Sequence, residues 1–335
     1  MEKRHLLPPC AQHKANLHCH TTCSDGRLTP EQTKEVYMRH GYDVVAFTDH
    51  EYIVNHQDLT DDHFIALTGY EIAIGELPHD GYTNWLDLKC CHMNLYARDP
   101  NEEHHVCFHP KAVWGPGAAV ADKLKYKGGL YYKDYNKLQE VIDIANANGY
   151  IVCFNHAYWS LQPHSDYFGL TGLFGMEVYN TGCDVYSGET WTDYGLFCEF
   201  NQDVAPVAAD DNHNGVGNGY EGVEHSDCFG GFTMILTDDF SYSGIFAAME
   251  RKDVYASTGI LFKEISVTGN TVHVECSECT HIVVSFGGRR WKQAKDFSGL
   301  TFADFDIPDG ARFIRVYCDD KRTGHRAASK PYMIH

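Results

Sequence analysis

The chain has 335 residues, 43% hydrophobic and 22% charged, an ordinary globular composition that can bury a core without disulfide staples. Its formal net charge is −19, unevenly placed: from Ala256 onward there are 11 basic and 9 acidic residues, a net of +2, leaving 16 basic and 37 acidic residues before it, a net of −21. A field of that sign repels a nucleic-acid backbone, so no stable nucleic-acid partner is expected.

Met1 to Pro9 lacks the apolar core of a secretory signal, and no apolar run approaches the ~18 residues of a membrane span. The 13 cysteines, an odd number without framework spacing, read as reduced thiols, and a cytoplasmic location is expected. Asn16-Leu17-His18-Cys19-His20 follows, and a His-x-His pair on extended backbone sends both imidazoles to one face. Ser24-Asp25-Gly26-Arg27 reads as a turn that sets a carboxylate beside the pair. Thr29-Pro30-Glu31 supplies an N-cap, a first-turn proline and an acid, predicting a helix through His40.

Asp43–Thr48 is a predicted buried strand ending in Asp49-His50, and Phe64–Leu67 is another, followed by Gly69-Tyr70-Glu71. His92 lies in the predicted strand Cys91–Tyr96. Residues 101–129 form a long polar loop rich in His and aromatics, with His104, His105, His109 and Lys111 as candidates to reach a substrate. Tyr135–Asn148 has helical periodicity with Gly149 as a stop. The strand Tyr150–Phe154 runs into Asn155-His156, Gly175–Tyr179 carries Glu177 and leads to Asn180, and Val204–Ala208 runs into Asp210-Asp211-Asn212-His213. Unbroken apolar strands alternating with helices predict a parallel α/β barrel or doubly wound sheet.

After Ser257 the pattern changes to short alternating strands, over 262–267, 271–276, 281–286 and 311–318, separated by glycine turns. A small all-β, sandwich-like domain over 257–335 is expected behind a domain of residues 1–256. Its single Cys276-Ser277-Glu278-Cys279 lacks the second pair of a zinc site. No phosphate-binding glycine loop is present at Gly128-Gly129 or at Gly215 to Gly219, and no serine-hydrolase elbow.

Of the 21 histidines, 17 precede residue 256, and several stand with Asp or Glu just beyond predicted strands. Side chains distant in sequence converge at such strand ends, and imidazole with carboxylate binds divalent metals. The ordered set His18-Cys19-His20 to Gly26, Thr48-Asp49-His50, Gly69-Tyr70-Glu71, His92, Asn155-His156 and Asp211-Asn212-His213 resembles the polymerase and histidinol phosphatase (PHP) superfamily over residues ~14–255. That resemblance implies a distorted (β/α)7 barrel and three divalent metal ions, drawn from Zn, Mn or Fe. It places the first on His18, His20, Glu71 and Asp211. Glu71 would bridge to a second on His92 and His156, and Asp25, His50 and His213 would hold the third. Asp25 stands where some members have His, and Asn155-His156-Ala157 departs from the usual His-Pro.

Such a cluster is expected to hydrolyse a small phosphate ester, of nucleotide or sugar-phosphate type, by metal-hydroxide attack on phosphorus without a covalent enzyme intermediate. Glu71, Asp49, Asp210 and Arg27 are the candidate catalytic groups. Carboxylic ester or amide hydrolysis on the same ligands, and a non-catalytic metal-binding module, are the alternatives.

Overall fold

The computed structural model describes residues 2–76, 84–130, 134–183, 190–201, 203–214 and 227–334; Gly215 to Gly219 lie outside them. In chain order the first strands are β1 (Lys3–His5), β2 (Gln12–Asn16), β3 (Val44–Phe47), β4 (Ile65–Gly75), β5 (Cys90–Ala97), β6 (His104–His105) and β7 (Lys125–Tyr126). Then come β8 (Tyr150–Phe154), β9 (Gly175–Asn180), β10 (Ala205–Ala209), β11 (Phe232–Leu236) and β12 (Val254–Ser257). The last are β13 (Phe262–Thr268), β14 (Thr271–Ser285), β15 (Trp291–Asp306), β16 (Phe313–Asp319), β17 (Arg326–Ser329) and β18 (Tyr332–Met333). The helices are α1 (Pro30–Arg39), α2 (Leu138–Ala147), α3 (His164–Tyr167), α4 (Trp191–Phe200) and α5 (Tyr242–Glu250).

The architecture is mixed α/β around one large sheet. Its order is β1-β13-β14-β16-β17-β12-β11-β2-β3-β4-β5-β8-β9-β10, with β15 added on β14 and β18 on β16. β2, β3 and β4 run parallel, as do β8, β9 and β10. The expectation of parallel strands throughout is corrected at β5, which pairs antiparallel with both β4 and β8. A parallel return needs a crossover, usually a helix; between Gly75 and Cys90 the described residues contain one 3₁₀ turn and no α-helix. β5 is therefore inverted, and its N-terminal end lies with the C-terminal ends of its neighbours. β11 is likewise antiparallel to β2 and β12.

Near the site the β10 end of the sheet approaches β11 and β2. The Thr233 hydroxyl of β11 accepts from the Ala208 amide (3.1 Å) and donates to its carbonyl (2.9 Å). Beyond the strand ends, Cys19 and Asn212 form a parallel bridge.

α1 starts as its sequence dictates: Thr29 and Gln32 form a reciprocal capping box behind Pro30, and Val36 and Tyr37 are buried. α2 buries Leu138, Val141, Ile142 and Ala145 on one face, the larger of these contributing about 1.5–3 kcal/mol each by leaving water. One apolar core joins α2 and α4 to β5, β8 and β9. Another runs from Tyr37, Tyr42 and Phe47 to Tyr255, Ile265, Val274, Ile282 and Val316 of the late strands. Two predicted C-terminal strands, 271–276 and 281–286, are one long strand, β14. β12 spans residue 256 and pairs with both β11 and β17, and β1 joins β13.

Candidate metal centre

Glu71 sits on β4 past its pairing with β3 and is 1% exposed. Five imidazole nitrogens from four segments surround its carboxylate. His18 Nε2 (3.2 Å), His92 Nδ1 (3.1 Å) and His156 Nε2 (3.3 Å) lie against Oε1. His20 Nε2 (3.5 Å) and His50 Nδ1 (3.0 Å) lie against Oε2. Asn155 adds an amide donor to Oε1 at 3.0 Å. His92 reaches this point because β5 is inverted; the Asn155 amide donates to its carbonyl across the β5–β8 edge (3.0 Å).

Asp211 closes the other side. Its Oδ1 is 3.1 Å from His18 Nε2 and 3.0 Å from His20 Nε2, and Oδ2 is 3.7 Å from His156 Nε2. Asp211 adopts φ +53°, in the left-handed region that costs a β-carbon residue energy, while its amide donates to His18 O. Glu51, beside His50, is held likewise at φ +67°, with its amide on Glu71 O (2.7 Å). At the rim, Asp25 Oδ1 lies 3.7 Å from His50 Nε2 and 3.5 Å from His213 Nε2. Asp25 and His213 have side chains 35% and 36% exposed, whereas His18 and His20 are fully buried, so the cluster runs from a dry floor to an open mouth.

Behind the nitrogens stands an anchoring layer. Glu177 Oε1 is 2.7 Å from His18 Nδ1; a carboxylate only accepts, so Nδ1 carries the hydrogen and Nε2 is turned to the cluster. Glu177 Oε2 accepts from the His156 amide (2.9 Å) and from Asn180 Nδ2 (3.0 Å), and Asn180 also donates to Asp211 Oδ2 (3.2 Å). Ser160 Oγ is 3.2 Å from His156 Nδ1.

Without a cation these groups are an electrostatic conflict. Burial opposes every charge here, yet Asp211, Glu71 and Glu177 hold His18 well above the usual imidazole range. His20, three ångströms away, is driven well below it by burial and by His50 and His213. His50, against the same burial, is raised to about 9 by Glu71, Asp25 and Asp211. Glu71 and Asp211 are held well below the carboxylate range despite burial, Glu71 first by His18 and His92, Asp211 first by His18 and His20.

The ring nitrogens of His18 and His20 face one another at 3.2 Å, and Glu71 Oε2 has no well-aligned hydrogen bond among the described residues. Imidazole nitrogens and carboxylate oxygens this close together suit divalent cations, and the sets whose donors lie within 4.8 Å include His18, His20 and Asp211, and His20, Asp25, His50 and His213. All nine sequence-derived ligand positions, His18, His20, Asp25, His50, Glu71, His92, His156, Asp211 and His213, are brought together.

The other candidates are placed differently. Asp49 accepts from Thr21 N, Thr21 Oγ1 and Ser24 Oγ at 2.7–2.8 Å, which pins the turn carrying Asp25. Asp210 accepts from Tyr37, Thr181 and the amides of Phe229, Gly230 and Gly231; burial pushes it up to about 6 against those donors. Arg27 is exposed, and its amide donates to His213 O (2.9 Å). His104 is exposed against Glu102. His105 is buried and structural: Nε2 accepts from the Ile53 amide and Nδ1 donates to Lys125 O, both at 2.8 Å. Lys111 is exposed and forms no ion pair with the cluster among the described residues.

Sequence reasoning missed Trp114. The long loop packs Phe108, Val113 and Ala121 on Tyr52, and this brings the Trp114 ring to 5.1 Å from His50. Trp159 lies 5.3 Å from His92 and 5.1 Å from His156. Both indoles are partly open to solvent, at 43% and 37%. The signal for Trp114 was faint: one tryptophan before Gly115-Pro116-Gly117, where a side chain at 117 would strike the Tyr52 ring.

No protein-family model matches the chain, and no curated protein matches it. Among solved structures, a two-domain protein from Bacteroides vulgatus, described as containing a predicted PHP-like metal-dependent phosphoesterase, is 14% identical with a TM-score of 0.44, covering 94% of this chain and 93% of that one. A protein from Bifidobacterium adolescentis, described as a metal-dependent phosphoesterase, is 18% identical with a TM-score of 0.37 over 62% and 89% of the two chains. An amidohydrolase from Chromobacterium violaceum, with bound sulfate and no metal, is 13% identical with a TM-score of 0.40 over 59% and 87%.

Proposed function

We propose that this protein is a metal-dependent hydrolase of small phosphate esters, of nucleotide or sugar-phosphate type, with three divalent cations on the nine residues named above. The observation that carries the reading is the buried Glu71 carboxylate ringed by five imidazole nitrogens at 3.0–3.5 Å. In this reading His18, His20, Glu71 and Asp211 hold one ion, Glu71, His92 and His156 a second, and Asp25, His50 and His213 a third. The PHP-type site then lies in a distorted barrel of residues 1–256, followed by a small β-domain over 257–335.

Bound divalent ions supply an activated water and neutralise the oxygens of the reacting group. The chain supplies the rest. Glu177 fixes the His18 tautomer and, through the His156 amide, the turn after β8. Asp49 and Asp210 act as positioning residues, because their oxygens are already committed to the 21–24 turn and to the 229–231 segment. Arg27 stands at the rim, where it would meet the distal part of an anionic substrate. Trp114 and Trp159 flank the mouth and would pack on its organic portion.

The test is turnover of a panel of phosphomonoesters, phosphodiesters, carboxylic esters and amides with Mn²⁺ or Zn²⁺. Phosphate release lost by at least ~10³-fold in Glu71→Gln supports the reading. Turnover confined to carbonyl substrates, or three bound ions without turnover of any class, overturns it.

A further inference from the structure

We propose that Cys276, Cys279 and Cys318 form a second metal site, built for one soft cation of the Cu(I) type. The three side chains are fully buried in the core of the late strands, and their sulfurs form a group within 4.8 Å of one another. Cys276 Sγ lies 3.7 Å from Cys279 Sγ and 4.0 Å from Cys318 Sγ. Those separations are far from the ~2.05 Å of a disulfide. Three thiolates around one ion at the usual metal–sulfur length of ~2.3 Å would stand about 4 Å apart.

The backbone is bent to make this arrangement. In a regular strand, residues three apart point to opposite faces. Cys276 and Cys279 are three apart on β14, yet both turn inward, because the β14–β15 register shifts between Glu275 and Cys279 and again between Cys279 and His281. This stretch is also where β14 changes partners: Cys276 still pairs with Phe262 of β13, and from His281 on it pairs with β16. Cys318 arrives on β16 opposite Ile282. An apolar core needs no such irregularity, since alternation alone would point one cysteine inward and leave the other on the surface.

The chemistry matches. Binding is ligand exchange without redox: each thiol that joins the ion releases its proton to solvent. The group holds three sulfurs and no imidazole or carboxylate, which suits a three-coordinate soft ion better than zinc, which favours four ligands. Cys-x-x-C alone did not reveal this, because the third sulfur is supplied from 39 residues beyond Cys279, across the sheet.

The experiment uses the full chain, anaerobic, with Mn²⁺ in excess to occupy oxygen and nitrogen ligands, and Cu(I) delivered from a chelator buffer. Copper-edge X-ray absorption of the wild type is expected to show three sulfur neighbours at ~2.3 Å, and Cys318→Ala to retain Cu(I) at least tenfold more weakly. Oxygen or nitrogen neighbours only in the wild-type spectrum, or equal retention by wild type and a folded Cys318→Ala or Cys276→Val, overturns the proposal. The wild-type spectrum decides even where a variant does not fold.

Discussion

Glu177 acts on two candidate ligands at once, accepting from the His18 ring and from the His156 amide. Carboxylates in this position raise the basicity of the ring they hold, and losing one costs roughly 10–100-fold in metal affinity. Glu177→Gln keeps the shape and removes the charge. It is therefore expected to weaken divalent-metal retention by that factor with the fold intact, measured by chelator competition; unchanged retention would sink the role. His105 offers a pH test outside the candidate ligand set. Both its nitrogens are engaged and burial lowers its pKa below 6.5, so the folded protein has no place for a second proton. Above pH 6.5 neither state is protonated and His105 adds no pH dependence. As pH falls below 6.5 the unfolded chain takes a proton that the folded one refuses, and stability is lost at up to ~1.4 kcal/mol per pH unit. Urea midpoints between pH 7.5 and 5 should fall less steeply for His105→Gln than for wild type, although the variant starts lower. Parallel curves would remove His105 from the acid response.

Local signals served well where one element decides the outcome. The Thr29 cap and Pro30 start α1 as read, and the apolar spacing of 138–145 is the buried face of α2. The candidate ligands after β3, β8 and β10 also stand where strand-end logic puts them. What failed was direction and pairing: an apolar run such as Cys91–Tyr96 is equally compatible with either sense, and β5 is inverted after a connection whose described residues hold no α-helix. β15 escaped notice because Trp291, Phe297 and Phe302 are exposed, leaving little alternation to read. Within the 21–26 turn, Gly26 was legible only as a turn residue, whereas its actual constraint is contact: a β-carbon there would lie 2.4 Å from the His20 carbonyl oxygen. Gly26→Ala must push the turn away from His20 and carry Asp25 with it. The expected result is loss of the metal held at the rim with retention of those at the floor, read as a drop in metal stoichiometry by elemental analysis; a full complement would show that the turn does not position Asp25.

At the scale of the molecule, the convergence of the candidate site was more legible than the fold around it, because residue type and strand-end position mark candidates one at a time while strand order and direction depend on long-range pairing. That same convergence makes the centre a stability problem. Fully buried His18 and His20 and nearly buried Glu71 and Asp211 have exchanged water for one another, and like groups face one another at hydrogen-bond distance. An isolated buried charge is costly, and here His18 is held protonated and His20 neutral in a floor closed to water. Ions that bind only the folded state add RT ln(1 + [L]/Kd), about 2.7 kcal/mol for one site at a hundred times its Kd. Chelation at neutral pH should therefore lower the unfolding temperature, and adding back Mn²⁺ or Zn²⁺ should restore it in a concentration-dependent way. In Asp211→Asn, which keeps the volume and removes the charge shared by three imidazoles, both the fall and the recovery should be smaller. Scanning calorimetry of the two proteins with and without metal is the measurement, and a wild-type transition indifferent to chelator would mean that the histidine-rich floor is stabilised by protons rather than by cations.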